Sequence, residues 1–270
     1  RVFAVFDPAA LAEGDTTAVP IPNALLWDST KSDGTIQDLG VSNPLNPATA
    51  SSYNPVLAAA GDLSGSSTVA PIDIRMSGEV NADTLNGSVF LIALDYASGD
   101  PLQGLNISEP PTISSDQPSY SLEHKTFDGV SYVRINPTSP LNPKTRYVVA
   151  VTNKITDTEG KPISRSPGTT GYGWLTGSDA LANSALAPIR SLINSLWEPM
   201  TEAFFALAVN PAREAGGLSA LTNDNIAMSY SFMTSGDEKV LNYVADPKQW
   251  FNDQISTFIG LTASKAVTGY

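Results

Sequence analysis

Residues 125–135 read KTFDGVSYVRI and decide the fold. Asp128-Gly129 between two β-prone runs indicates a two-residue β-hairpin, because both turn positions need the positive φ that Asp and Gly tolerate. Strand-like runs recur on either side of this hairpin, at residues 69–76, 88–94 and 146–152, with turn clusters between them. Many short strands at this spacing predict an all-β sandwich.

The hydrophobic pattern changes in the second half of the chain. From Ser178 the apolar residues recur with the 3.6-residue period of an amphipathic helix, and Ser178-Asp179 suits an N-cap region. Pro188 and Pro199 fall inside this pattern, so we expect kinks or two consecutive helices in place of one straight rod.

These patterns divide the chain into three predicted regions. Residues 1–67 are an extended, turn-rich segment, residues 68–165 are the β-sandwich, and residues 166–270 are a helical and mixed C-terminal part. The predicted fold class is mainly β with α. Smaller predicted elements are a strand at 2–6, an extended stretch at 19–23, a turn at 32–35, a helical turn at 57–60, a strand at 226–233, and helices at 237–244 and 249–259.

The composition excludes several classes of protein. The chain has 27 acidic and 15 basic side chains, a net charge of −12, so nucleic-acid backbones and anionic lipid headgroups would repel it. It has no Cys and a single His, which excludes thiolate chemistry, Cys-ligated metals and multi-His metal sites. No apolar run approaches the length of a membrane span. Acidity with abundant Ser, Thr, Asn, Gly and Pro suits a secreted bacterial protein.

Four short phrases resemble a known family. Residues 6–10 (FDPAA), 20–26 (PIPNALL), 33–35 (DGT) and 226–234 (IAMSYSFMT) are similar, in this order, to the N-terminal domain of bacterial virulence-factor lipases. These are secreted or surface lipases and lysophospholipases of Gram-negative bacteria. The resemblance runs through nearly the whole chain and implies a location outside the cell or on the outer-membrane surface.

A second resemblance lies inside the first. Residues 70–74 (APIDI), 141–147 (LNPKTRY) and 155–162 (ITDTEGKP) resemble an S-layer-type bacterial Ig-like module, which ends in a turn into a Tyr-bearing strand and then an Asp-x-x-Gly turn. This resemblance implies an Ig-like β-sandwich over 68–165. We expect Tyr147 to pin the corner where the Pro-containing turn enters its strand.

The lipase resemblance also implies what the chain lacks. In that family an α/β-hydrolase domain with a G-x-S-x-G nucleophile elbow follows the N-terminal domain. The nearest string, GDLSG at 61–65, shifts Ser64 by one position and lacks the apolar helix that follows an elbow. No catalytic residue is therefore carried over, and no cofactor or metal is predicted. We expect the hydrolase domain to follow Tyr270 and to be the partner of this chain in cis.

Five aromatic residues are candidate binding residues. Tyr172 and Trp174 lie in a Gly-rich loop, which either stacks on a sugar or plugs into the core. Trp197, Phe204 and Phe205 lie in the predicted helical region 178–209. That region either faces a lipid or a partner domain, or packs against the sandwich as apolar helices usually do.

Three further candidates have a simple structural interpretation. His124 beside Glu123 is either a general base or a surface histidine, and Glu123 is poorly placed to orient it because neighbours on a strand point to opposite faces. Residues 33–35 and 157–160 supply possible calcium ligands, but Asp and Gly are also what turns require.

The leading hypothesis is a non-catalytic N-terminal accessory domain of a secreted or surface-attached bacterial lipase or lysophospholipase. The alternative is a cell-surface adhesion module that binds glycan or protein. A self-sufficient esterase ranks last, because the sequence holds one imidazole.

Overall fold

The computed structural model describes residues 1–26, 65–99, 101, 109–236, 244–249 and 251–252. Within them the strands form two antiparallel sheets, ordered β1-β5-β4 and β3-β2-β6-β7. The mainly-β class with α is confirmed at this level. The strands are β1 (Ile72–Met76), β2 (Val89–Asp95), β3 (Thr112–Ile113), β4 (Tyr120–Phe127), β5 (Val130–Pro137), β6 (Arg146–Thr152) and β7 (Ile226–Met233). The α-helices are α1 (Pro8–Ala12), α2 (Tyr172–Leu175), α3 (Ala187–Leu192), α4 (Glu198–Phe204) and α5 (Asn210–Ala215).

The predicted hairpin is confirmed. Phe127 pairs with Val130, which leaves Asp128 and Gly129 as the two turn residues, with φ of 48° and 76°. Two consecutive positive φ values are what a tight hairpin turn requires. Both strands are longer than the sequence pattern indicated.

The two sheets differ in how they are covered. Strands β1 and β5 alternate between buried and partly exposed residues, as expected for a sheet with one covered face. All residues of β6 and β7 are buried, because the second sheet is covered on both faces. On one of those faces, β7 presents Ser229 to Tyr172 of α2 and Ser231 to Trp197 of the helical region.

The corner before β6 is fixed as predicted. The Tyr147 hydroxyl accepts a hydrogen bond from the Asn142 backbone N–H at 2.9 Å, and its ring stacks on Phe232 of β7. This side-chain to backbone bond ties the Pro-containing turn to the strand that follows it.

The N-terminal segment runs along β1. Residues 2–6 do not form the predicted strand: they make isolated bridges, Phe3 with Ser164 and Ala4 with Met76. Because these two partners belong to different segments, no continuous ladder builds up. Asp7 then caps α1, where its carboxylate accepts the N–H groups of Ala9 and Ala10.

The helical region starts later than predicted. Ser178-Asp179 is not the N-cap, since Asn183 caps a 3₁₀ turn over Ser184–Leu186 that leads into α3. Two π-helical segments, Ile193–Trp197 and Phe205–Val209, connect α3, α4 and α5. We refer to residues 184–215 as the helical layer.

One residue separates the end of each π-helical segment from a proline. Glu198 N–H donates to the Ile193 carbonyl five residues back, and Pro199 follows; Asn210 N–H donates to Phe205 in the same way, and Pro211 follows. The predicted interruption at Pro199 thus takes the form of a π-turn. Pro188 lies in the first turn of α3, where its missing N–H is tolerated.

The predicted elements at 32–35 and 57–60 lie outside the described residues, as do most of the residues of those predicted at 237–259.

One hydrophobic cluster joins the N-terminal segment, both sheets and the helical layer.

Candidate functional site

The five aromatic candidates do not form one surface. Tyr172, Trp197 and Phe205 are fully buried, whereas Trp174 and Phe204 keep part of their surface accessible. Phe6 brings Tyr172 and Trp197 together through edge-to-face contacts with ring centroids at 5.6 Å and 6.4 Å.

Phe204 and Phe205 meet at another place. Both contact Phe90 of β2, at centroid distances of 6.0 Å and 5.2 Å. These contacts fasten the helical layer to the second sheet. Ligand binding by the five aromatic residues stays a prediction. Of the five side chains, those of Trp174 and Phe204 are accessible to a ligand.

A largely buried network of polar side chains surrounds Glu198 at the start of α4. Glu198 Oε1 lies 3.1 Å from Arg165 Nη2 and accepts the Tyr172 hydroxyl at 3.2 Å, while Oε2 accepts Asn223 Nδ2 at 2.9 Å. The Tyr172 oxygen also lies 2.8 Å from Ser229 Oγ. Both carboxylate oxygens therefore have protein partners.

This network holds elements together. Arg165 also donates to the Ile226 carbonyl and to Thr176 Oγ1, so one guanidinium contacts three segments. Burial raises the pKa of Tyr172 well above its ordinary value, with the Glu198 charge adding to the effect, so the phenol stays neutral. Because both Glu198 carboxylate oxygens already have protein partners, the network is suited to positioning groups rather than to reacting with a substrate.

The sequence analysis missed this network. The sequence did contain one signal of a buried ion pair. Glu198 is among the few charged residues in an apolar helical pattern, and a charge that is buried there requires a partner. Its partner Arg165 lies beyond the predicted helix and could not be assigned from spacing.

His124 on β4 has two neighbours that the sequence did not suggest. Its Nε2 lies 2.9 Å from Ser131 Oγ and 3.0 Å from Glu79 Oε2. Glu123 instead accepts from Asn136 and pairs with Lys125, as the alternation along a strand predicted. A catalytic relay needs the hydroxyl and the acid on different ring nitrogens, and here both lie on one.

The Asp-x-x-Gly turn at 157–160 uses its acid internally. Asp157 Oδ1 accepts the backbone N–H groups of Glu159 and Lys161, each at 2.9 Å. This is turn chemistry. In the described part of the chain, no group of three or more His, Asp or Glu side chains could hold a metal ion. The other calcium candidate, at 33–35, lies outside that part.

Comparison with known proteins identifies one family. The family model of the bacterial Ig-like domain matches residues 38–174, just over half of the chain. No curated protein and no solved structure matches the chain. The lipase resemblance therefore stays a hypothesis.

The family match fixes the class of module. Domains of this family are non-catalytic and occur in extracellular or surface proteins of bacteria, where Ig-like domains often mediate binding. Within the described residues, no helix combines the length and apolar character needed to cross a membrane. With its Asp-Gly hairpin, its two antiparallel sheets and its tyrosine-pinned corner, the chain belongs to the bacterial Ig-like domain family.

Proposed function

We propose that this chain is the non-catalytic N-terminal accessory domain of a secreted or surface-attached lipase or lysophospholipase of a Gram-negative bacterium. In this proposal an Ig-like β-sandwich over 68–165 lies between the N-terminal segment 1–67 and the C-terminal part 166–270. Its task is to position the α/β-hydrolase domain that follows in cis.

The pairing of β7 with β6 is the observation that supports an accessory domain. Residues 146 to 152 of β6 pair along β7, from Arg146 with Met233 to Thr152 with Ile226. Strand β7 lies outside the segment matched by the Ig-like family, yet it extends the sheet of that segment. An Ig-like module that shares a sheet with the residues after it is part of a larger folding unit. It differs in this from the independently folded domains of a tandem Ig-like array.

The helical layer supports the same conclusion. It also comes from outside the matched segment and covers one face of the second sheet, with Trp197 Nε1 donating to Ser231 Oγ at 2.9 Å. The Glu198–Arg165 pair crosses the same junction. A rigid connection between the Ig-like part and the residues after it is what a positioning role requires.

The lipase assignment rests on the resembling phrases, and two of them have structural roles. Phe6 packs against Tyr172 and Trp197, and Asp7 caps α1. Asn23, in the second phrase, accepts the Leu25 N–H. These residues build the domain rather than a reaction centre, in agreement with an accessory role.

The reading frame that encodes the chain is the sharpest test. We expect it to continue into an α/β-hydrolase domain with a G-x-S-x-G elbow, followed by an acid and a histidine. A frame that instead continues into further Ig-like repeats would contradict the lipase assignment.

A second test measures activity directly. We expect the 270-residue chain to hydrolyse p-nitrophenyl butyrate no faster than buffer does. Saturable hydrolysis that disappears in a His124→Ala variant would show that the chain is an esterase and would overturn the proposal.

A surface-binding role has one specific observation in its favour. Trp174 is partly exposed, and its loop is fixed because the indole N–H donates to the Ala180 carbonyl at 3.1 Å while Arg190 donates to the Trp174 carbonyl at 2.9 Å. A fixed, accessible indole suits stacking on a sugar. A glycan array tests this: specific binding should be lost in Trp174→Ala and kept in Phe127→Ala, a control at a well-exposed aromatic on the β-hairpin.

A further inference from the structure

A cavity of about 220 Å³ lies between the N-terminal segment and the residues that lead into β1. Its walls are mainly apolar and include Ile21, Pro22, Leu26, Ala70 and Ile72. Ile21 is 50% exposed, and Ala70 lies at the surface as well, so the cavity has a rim open to solvent.

Asn23 is the largest polar residue in this lining, which also contains Ser66 and Ser67. The residue is 2% exposed, and its Oδ1 accepts the Leu25 N–H at 3.0 Å. Its Nδ2 has no hydrogen-bond partner among the described residues. Because Oδ1 is committed to the Leu25 N–H, the amide cannot turn over to exchange its oxygen and nitrogen.

An unpaired buried amide donor is unfavourable, because it has lost its hydrogen bond to water without gaining another. Native proteins pair nearly all such groups, so this donor calls for a partner other than the described residues. Here the donor lines a cavity with apolar walls. A mainly apolar space with a few polar groups, here the Asn23 amide together with Ser66 and Ser67, is typical of small-molecule sites.

We propose that this cavity binds a small, neutral molecule with an apolar body and a carbonyl oxygen, which accepts a hydrogen bond from Asn23 Nδ2. The ligand is neutral because none of the described residues that line the cavity is charged and the chain carries a net charge of −12. A dry cavity of about 150 Å³ holds benzene. The present cavity therefore accommodates a ketone or ester of roughly eight non-hydrogen atoms.

The test uses 2-heptanone as the probe and heptane as the matched control without an oxygen. Each is titrated into the ¹⁵N-labelled full chain, and the shifts of the Asn23 side-chain amide and the Leu26 and Ile72 backbone amides are followed. We expect saturable shifts with 2-heptanone and at least about tenfold weaker binding of heptane, since a factor of ten corresponds to one net hydrogen bond. Equal affinities would overturn the role of Asn23.

Two variants test the Asn23 hydrogen-bond donor and the cavity volume separately. Asn23→Asp keeps the acceptor for Leu25 N–H and removes the donor. It should therefore lower the affinity for 2-heptanone at least tenfold and change the affinity for heptane by no more than about twofold. Ala70→Phe fills the cavity from its exposed rim and should abolish binding of both, with circular dichroism confirming that each variant is folded.

A crystal structure grown with saturating 2-heptanone gives the remaining outcomes. The ketone oxygen within hydrogen-bond distance of Asn23 Nδ2 supports the proposal. An ordered water on Nδ2, with no ketone in the cavity, would overturn it. None of these outcomes depends on whether the chain belongs to a lipase.

Discussion

Arg165 and Glu198 form an ion pair, with Nη2 3.1 Å from Oε1, across the junction between the Ig-like part and the helical layer. The Glu198 side chain is 7% exposed and that of Arg165 29%, so the pair is largely shielded from solvent. Removal of one partner from such a pair leaves an uncompensated charge, which is more harmful than the loss of the pair as a whole.

Glu198→Ala is therefore expected to lower the free energy of unfolding by about 3 kcal/mol. Urea unfolding followed by tryptophan fluorescence measures this change. The control is Glu159→Ala, which breaks the exposed Lys161–Glu159 pair and should change stability by less than about 1 kcal/mol. Similar losses in both variants would contradict the buried role of Glu198.

Phe6 connects the N-terminal segment to the helical layer through Tyr172 and Trp197. We expect Phe6→Ala to lower the free energy of unfolding by about 3–5 kcal/mol, because it removes a buried ring and leaves a cavity. Thermal unfolding by differential scanning calorimetry tests this. Phe127→Ala removes a ring that is 70% exposed and should change stability by no more than about 0.5 kcal/mol.

The same substitution should have opposite effects at two tyrosines. Tyr147→Phe leaves the Asn142 N–H without its acceptor and is expected to destabilise the chain by about 1–3 kcal/mol. The buried Tyr230 hydroxyl has no hydrogen-bond partner among the described residues, so Tyr230→Phe should stabilise by roughly 1 kcal/mol. Chemical denaturation of both variants decides the matter, and a loss of stability in both would show that the Tyr230 hydroxyl has an acceptor.

Stability should fall at alkaline pH. Burial raises the pKa values of Tyr147, Tyr172 and Tyr230 above the ordinary 10.0. Above pH 10 the unfolded chain releases these phenolic protons while the folded chain keeps them, so the free energy of unfolding decreases as pH rises. Below pH 10 both states are protonated and this contribution stays constant.

Denaturant unfolding between pH 8 and pH 11.5 tests this dependence, with tyrosinate absorbance at 295 nm as the second observable. The Tyr230→Phe variant should show a shallower decline than the parent chain. A free energy of unfolding that is constant to pH 11 would contradict the expectation.

The hairpin turn provides a backbone prediction. Gly129 has a φ of 76°, so Gly129→Ala is expected to destabilise the chain by about 1–2 kcal/mol through left-handed strain. Gly177→Ala is the control, because Gly177 does not have a positive φ and an added Cβ would make an ordinary contact. Equal effects at both positions would show that strain at the turn is unimportant.

The strands that sequence reasoning located best are the buried ones. The bounds of β6 and β7 match the predicted runs because both are continuous stretches of apolar and small residues between turn signals. The start of β4 at Tyr120 to Leu122 was not among the predicted runs, although Glu123 and His124 were treated as strand residues; the polar character of this strand follows from its position at the edge of the first sheet. The helix start was misplaced because Ser178-Asp179 and Asn183 are equally good caps in sequence.

The polar sites could not be predicted in the same way. The partners of Glu198 come from three separate segments, through Arg165, Tyr172 and Asn223, and only the folded chain brings them together. The unpaired donor of Asn23 is also a tertiary property, since it depends on what the fold leaves empty around one amide.

The order in which the second sheet is completed has a consequence for biosynthesis. Strand β6 ends at Thr152, and its neighbour β7 begins at Ile226. At about 5–20 residues per second, a ribosome needs roughly 4–15 s to make the residues between them. Throughout that interval the edge of β6 has no partner strand, so the nascent chain passes through a stage at which it can pair with another chain or be engaged by a chaperone.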